Sequence, residues 1–187
     1  CRGGPLWPPG VGGDKPLPYK STGDFPMKRI IMLALFLLIP AALLAGESTI
    51  RWLPLDQAMI EAKKEKKLIL IDFYAEWCGY CKKMKRETYT DSKVVERINR
   101  LFKAVSIDIE GKKEFSVKGK KTSEREYSDS LNITSTPTAF FLKPNGEPIK
   151  GIPGYMEPDE FLDILNYFGE GWYEKMGTIE YLEKRPK

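Results

Sequence analysis

Two cysteines three residues apart, Cys78 and Cys81, follow an apolar run at 68–75 and precede a lysine-rich stretch. The apolar run predicts a buried β-strand, and the residues after Cys78 predict a helix. Cys78 therefore falls at a helix N-terminus, where free backbone N–H groups and the helix dipole favour a thiolate. We expect Cys78 to attack disulfides and Cys81 to resolve the mixed disulfide that forms. The alternative is a purely structural disulfide, which a position directly after a strand disfavours.

The composition excludes several other uses of a cysteine pair. The chain has no histidine and three cysteines, of which the third is the distant Cys1. Cys–His catalytic pairs and Cys/His zinc sites need imidazole, and haem attachment needs histidine where Lys82 stands. A four-thiolate zinc site needs two more cysteines near the pair. We therefore expect redox chemistry by the thiols themselves, with no metal and no cofactor.

The first 45 residues differ in composition from the rest of the chain. Residues 1–26 are rich in glycine and proline and are predicted to be a non-native or disordered upstream segment. Residues 27–45 begin with Met-Lys-Arg, continue as an apolar run and end in alanine, the pattern of a signal peptide cleaved after Ala45. A retained membrane anchor is the alternative, but a span needs about 20 apolar residues. Export together with a C-x-x-C pair predicts a periplasmic or secreted protein, because disulfides persist there.

Residues 46–187 are predicted to form one domain. The net charge of the chain is +4, but residues 1–45 carry five basic and two acidic side chains. The predicted domain is therefore almost neutral. Its charge gives no reason to expect nucleic acid or a membrane surface as a partner.

The spacing of apolar residues predicts the order α-β-α-α-β-α-β-β-α, which implies an α/β fold with a mixed central sheet covered on both faces. Capping signals support two of the helices, one at Asp91 and one at Ser123–Glu126. Residues 110–122 are basic and punctuated by glycine, which predicts an inserted hairpin or long loop. We interpret its charges as a solvated face rather than a partner-docking patch. A further helix is expected in the polar tail after residue 170.

The segment IDFYAEWCGYCKKM, together with Thr136-Pro137-Thr138 before a later strand, resembles the thioredoxin superfamily. The resemblance covers residues 50–170. Within the superfamily, the residues after the cysteines and the PNGEPIKGIPGYM segment resemble secreted SoxW-type and thiol:disulfide interchange thioredoxin-like proteins. The resemblance implies a thioredoxin fold and a redox-active Cys78–Cys81 disulfide.

The resemblance also implies a substrate-binding surface around the cysteines. Pro137 matches the family's cis-proline, which places the backbone of Thr136 beside the disulfide, where an extended client chain can pair. The alternative is a proline at the start of a strand. Trp77 matches an aromatic residue that flanks the site, with core filling as the alternative. Gly79 and Tyr80, between the cysteines, complete the expected surface.

Asp72 matches a buried acid behind the active site. Burial in an apolar strand should raise its pKa, so that it can accept a proton from Cys81. The alternative is a structural carboxylate that accepts hydrogen bonds from the backbone.

Three functions remain open. The first is a periplasmic reductase of protein disulfides, supplied with electrons by a membrane thiol carrier. The second is a disulfide isomerase or oxidase, because Gly79-Tyr80 resembles the periplasmic isomerases, whereas thioredoxins usually carry Gly-Pro there. The predicted domain has no room for the dimerisation domain of such isomerases, so we expect a monomer. The third is a client-specific redox partner in cytochrome c maturation or sulfur oxidation.

Overall fold

The computed structural model describes residues 49–117 and 119–185. The predicted upstream segment, 1–26, and the predicted signal peptide, 27–45, lie outside the described residues. Within the described ranges, no helix is long and apolar enough to span a membrane.

The described residues form six α-helices, six β-strands and one short 3-10 helix, Trp172–Glu174. The helices are α1 Leu55–Glu65, α2 Gly79–Glu87, α3 Ser92–Leu101, α4 Glu124–Ser130, α5 Pro158–Gly169 and α6 Thr178–Lys184. The strands are β1 Leu68–Tyr74, β2 Phe102–Asp108, β3 Glu114–Val117, β4 Lys120–Ser123, β5 Thr138–Leu142 and β6 Pro148–Pro153.

Four strands form the central sheet in the order β2-β1-β5-β6. Strands β1 and β2 are parallel, with α2 and α3 as the crossover between them, whereas β5 and β6 are antiparallel to their neighbours. This is a mixed sheet flanked by helices, so the predicted element order and the thioredoxin fold are confirmed. The register of the parallel pair sets Asp72 opposite Ser106.

The core lies on both faces of the sheet because β1 is buried on both sides. Its odd-numbered residues, such as Ile71, pack with α1, whereas Leu70 packs with α3 and α5. On the second face the rings of Phe141 and Phe168 stack with their centroids 3.8 Å apart. Alternation along β1 places Asp72 on this second face, with Leu70.

The predicted insert at 110–122 is a hairpin, β3–β4, paired in a separate two-stranded sheet. Phe115 anchors it by an edge-to-face contact with Tyr127 of α4, at 5.4 Å between ring centroids. The side chains of Lys120 and Lys121 are exposed. The hairpin leads into the predicted capping box, in which Ser123 and Glu126 cap each other's backbone at the start of α4.

The tail after residue 170 contains the expected helix, α6, which packs against the body. The Tyr181 ring lies 5.3 Å from that of Tyr167 on α5, and the Tyr167 hydroxyl donates to the carbonyl oxygen of Met176 at 2.8 Å. An ion pair between Arg185 and Asp163 at 2.6 Å also joins the tail to α5.

Candidate redox site

Cys78 and Cys81 form a disulfide, with 5.3 Å between their Cα atoms. Cys78 is the N-cap of α2, and the backbone N–H of Cys81 donates to Cys78 Sγ at 3.1 Å. Both cysteines are buried to a similar extent, so exposure does not separate their roles. Their positions do: only Cys78 Sγ lies where the free N–H groups of the helix stabilise negative charge.

The charges of α2 support this stabilisation. Its first turn carries no acidic residue that would oppose a thiolate, and its last turn carries Lys85 and Arg86, as the helix dipole favours. Because Cys78 is the N-cap of α2, its predicted placement at a helix N-terminus is confirmed.

The loop before β5 forms the wall opposite the cysteines. The Thr136–Pro137 peptide bond is cis, as the resemblance implies. Cys78 Sγ lies 3.5 Å from the carbonyl oxygen of Thr136, so the backbone of this residue borders the disulfide. The carbonyl oxygen of Pro137 accepts the N–H of Gly154 at 2.8 Å, which ties the loop to the end of β6. Gly154 has φ of 102°, a conformation that favours glycine.

The aromatic residues beside the cysteines face solvent. Trp77 and Tyr80 are each 66% exposed, so the interpretation of Trp77 as core filling is wrong. The Tyr80 ring lies 6.1 Å from the ring of Tyr155, over which Lys83 Nζ sits 4.1 Å from the centroid. A Cβ atom added at Gly79 would meet no atom within 4 Å outside the adjacent residues, so there is open space at this position.

Asp72 is only 2% exposed, and burial raises its pKa from 3.8 to about 6. The Tyr89 hydroxyl donates to Asp72 Oδ1 at 3.1 Å, and the side chain of Ser106 is a second hydrogen-bonding neighbour. Both bonds favour the ionised form but do not offset burial. Among the described residues, the hydrogen-bond partners of Asp72 are thus side chains rather than backbone groups, and neither cysteine is one of them.

Four residues of the site were not predicted from the sequence. Ile109 packs against the cluster formed by Ala75, Cys78 and Cys81, and Tyr155 packs on Tyr80. Tyr89 and Ser106 contact Asp72. Ser106 lies beside Asp72 through the register of the parallel β1–β2 pair, which the sequence analysis did not predict. The positions of the other three depend on long-range packing that carries no local sequence signal.

A thioredoxin fold with a disulfide at the start of a helix, beside a cis-proline loop, defines the class of thioredoxin-type thiol–disulfide oxidoreductases. The chain belongs to the thioredoxin-like domain family, whose model matches residues 55–169.

Relatives and solved structures agree with this assignment. The thiol:disulfide interchange protein DsbD of Vibrio cholerae is 33% identical over 117 residues, covering 62% of this chain and 18% of that protein. The chain thus spans less than a fifth of the length of this relative. A thioredoxin of Borreliella burgdorferi is 31% identical over 101 residues, or 54% of this chain and 73% of that protein. A thioredoxin-fold protein from Helicobacter pylori superimposes with a TM-score of 0.55 and 28% identity, over 64% of this chain and 80% of its own.

Proposed function

We propose that this protein is a periplasmic reductase of protein disulfides. The observation that carries the proposal is the placement of Cys78 Sγ at the N-terminus of α2, 3.5 Å from the Thr136 carbonyl oxygen. The helix N-terminus stabilises a thiolate at Cys78 after reduction. The Thr136 backbone, which lies next to the same sulfur, can be approached by an extended client chain.

The first step is attack by the Cys78 thiolate on a client disulfide. A sulfur–sulfur bond forms between Cys78 and one client sulfur, and the client's own disulfide breaks. The second client sulfur leaves as a thiolate and takes a proton from solvent. The exposed rings of Trp77 and Tyr80 offer contact area to the client chain on either side of Cys78.

The second step releases the client. Cys81 loses its proton, and its thiolate attacks Cys78 Sγ, which re-forms the Cys78–Cys81 disulfide seen in the structure. The bond between Cys78 and the client breaks, and the client leaves fully reduced. We assign the proton acceptor for Cys81 to Asp72, because a carboxyl with a pKa of about 6 is largely ionised at neutral pH.

Continued turnover needs an electron donor that reduces the Cys78–Cys81 disulfide again. We propose a membrane thiol carrier for this role and a monomer as the working state. The likeness to part of a thiol:disulfide interchange protein supports thiol exchange with another protein.

Two alternatives keep specific support. Tyr80 between the cysteines favours an isomerase or oxidase, and its exposed ring, 6.1 Å from the ring of Tyr155, is available to contact a client. The reductase is preferred because a buried base for Cys81 serves release of a reduced client. A client-specific redox partner, in cytochrome c maturation or sulfur oxidation, would use the same two steps on one client.

Reduction of insulin separates a general reductase from a client-specific one. The purified protein, carrying Cys1→Ser so that Cys78 and Cys81 are its remaining cysteines, is supplied with dithiothreitol and insulin. We expect insulin reduction well above the rate with dithiothreitol alone, and a background rate for the same protein with Cys78→Ser. A rate equal to background in both proteins would contradict a general reductase.

Localisation gives a separate prediction. From the signal pattern at 27–45, we expect the exported protein to begin near Gly46 and to occur in the periplasmic fraction. Mass spectrometry of the protein from fractionated cells measures its N-terminus. A protein that begins at Met27 and stays in the membrane fraction would show a retained anchor instead.

A further inference from the structure

Asp72 is held by a group outside the residues predicted from the sequence. Tyr89 lies in the segment between α2 and α3, and its hydroxyl donates to Asp72 Oδ1 at 3.1 Å. Burial raises the pKa of Tyr89 well above 10, so its hydroxyl keeps its proton and remains a donor.

The ring of Tyr89 is fixed on two sides by aromatic neighbours. Trp52 contacts it edge to face at 5.4 Å between centroids, and Phe161 of α5 does so at 5.7 Å. Contacts on both sides restrict the ring, so the direction of the hydroxyl toward Asp72 is set by packing. Tyr89 is thus placed to fix the position of the Asp72 carboxyl.

Tyr89 also lines a cavity that opens to solvent. Trp52, Lys85, Tyr89, Thr90 and Ser106 are among its lining residues. Among the described residues, Tyr89 and Ser106 are also the side-chain hydrogen-bonding neighbours of Asp72. The Asp72 carboxyl is almost fully buried, but it is hydrogen-bonded to two residues that line the open cavity.

Among the described residues, few groups affect the charge of Asp72. Lys85 of α2 attracts its ionised form, with the ammonium group held 3.6 Å from the centroid of the Tyr74 ring. Strand β2 supplies the neutral Ser106, and β5 supplies the apolar Ala139 at the paired position. Among these groups, Tyr89 donates a hydrogen bond to Asp72 at 3.1 Å, and this bond lowers the pKa of Asp72 more than Lys85 or Ser106 does. Removing the Tyr89 hydroxyl should therefore change the charge state of Asp72 more than removing either of the others.

We propose that Tyr89, assisted by Ser106, positions the Asp72 carboxyl and connects it to the open cavity, so that the proton taken from Cys81 reaches solvent on this side of the sheet. The proposal rests on the proposed function, since it takes Asp72 as the acceptor for Cys81. In the release step the Cys81 thiol proton moves to Asp72, and the Cys81–Cys78 bond forms as the Cys78–client bond breaks. The client sulfur leaves as a thiolate and takes a proton from solvent. Asp72 then returns its proton to solvent in the cavity.

The test uses Tyr89→Phe, which keeps the ring between Trp52 and Phe161 and removes only the hydroxyl. The matched control is Tyr167→Phe, which removes another buried tyrosine hydroxyl, one that donates to Met176 instead. The titration of Asp72 is followed by the ¹³C shift of its carboxyl group in the oxidised protein, so that this reading needs no client. Loss of a donor to the carboxylate should raise the Asp72 midpoint by about one pH unit.

The second reading is the rate of client release in a single turnover with insulin, measured from pH 5 to 9. In Tyr89→Phe we expect its midpoint to rise with that of Asp72, and the rate at pH 6 to fall about fivefold. The rate at pH 9 and the alkylation of Cys78 should stay unchanged. Ser106→Ala should shift both midpoints in the same direction by less, and it serves as the test if Tyr89→Phe does not fold.

An unchanged Asp72 midpoint in Tyr89→Phe, or a shift of equal size in Tyr167→Phe, overturns the proposal. A shifted midpoint with an unaltered release profile overturns the proton route. A wild-type protein that does not reduce insulin contradicts the proposed function instead, while the titration still decides whether Tyr89 controls Asp72.

Discussion

Replacing Cys81 by serine is expected to trap the protein as a mixed disulfide with its client. Cys78 can still attack, because its place at the N-terminus of α2 does not depend on the Cys81 thiol. Without Cys81, however, nothing re-forms the internal disulfide that releases the client. We expect turnover to fall by at least about a hundredfold, as for other losses of an essential catalytic group. Non-reducing gels and mass spectrometry measure the trapped adduct.

The reciprocal variant, Cys78→Ser, should lose turnover to the same extent but trap little client. Cys81 is equally buried, but its sulfur is not at the helix cap, and the sulfur that lies 3.5 Å from the carbonyl oxygen of Thr136 is that of Cys78. Where residues 1–45 are retained, the matched control is Cys1→Ser, which should neither trap client nor slow turnover. A larger adduct in Cys78→Ser than in Cys81→Ser would reverse the roles of the two cysteines.

Replacing Asp72 by asparagine is expected to slow client release and stabilise the fold at the same time. Loss of the base should reduce the release rate at pH 7 by at least about tenfold. Alkylation of Cys78 should be almost unchanged, since Asp72 makes no hydrogen bond to it among the described residues. Single-turnover reduction of insulin and the rate of alkylation separate the two steps.

The effect of this substitution on stability depends on pH. The folded-state pKa of Asp72 is about 6, raised from 3.8 by burial, so folding favours the protonated form. The contribution of Asp72 to the free energy of unfolding is therefore highest below pH 3.8, where Asp72 is protonated in both states. It falls as the pH rises through about 6, because the buried carboxyl ionises less readily than the same carboxyl in the unfolded chain. Asparagine stays neutral throughout. We therefore expect Asp72→Asn to exceed the wild type in free energy of unfolding by up to about 3 kcal/mol at pH 8, and by only about 0.5 kcal/mol at pH 4.

Urea unfolding of the oxidised protein at pH 4, 6 and 8 measures this difference. The control is Asp129→Asn, which removes an exposed carboxyl and should leave the stability within about 0.5 kcal/mol at each pH. Equal stabilities of wild type and Asp72→Asn at pH 8 would mean that the buried carboxyl carries no cost, and the argument for a base poised near neutral pH would fail.

The sequence predicted the elements of this fold well because their signals are local. The apolar run at 68–75 became β1, Leu68–Tyr74, and the capping residue Asp91 accepts the N–H groups of Lys93 and Val94 at the start of α3. The capping box at Ser123 is present as expected. Each of these features depends on residues within one helical turn or one strand.

The environment of the site was harder to predict. Tyr89 is 17 positions from Asp72 in the chain, and their contact exists only because the segment after α2 folds back over the second face of the sheet. Tyr155 meets Tyr80 because the loop after β6 lies against α2. Whether Trp77 is buried or exposed also depends on which distant segments cover the loop between β1 and α2. Such contacts follow from packing between distant segments, which periodicity does not report.

The central claim, that the protein acts as a reductant, is tested most directly by the equilibrium reduction potential of the Cys78–Cys81 couple in glutathione buffers. A base for Cys81 is most useful to a dithiol that attacks, so we expect a potential nearer that of thioredoxin, about −270 mV, than that of a strong periplasmic oxidant, about −120 mV. The measurement uses the Cys1→Ser protein, so that Cys78 and Cys81 are the thiols titrated. A potential above about −180 mV, the level of isomerase-type proteins, would contradict the reductant account and favour the isomerase or oxidase that Tyr80 suggests.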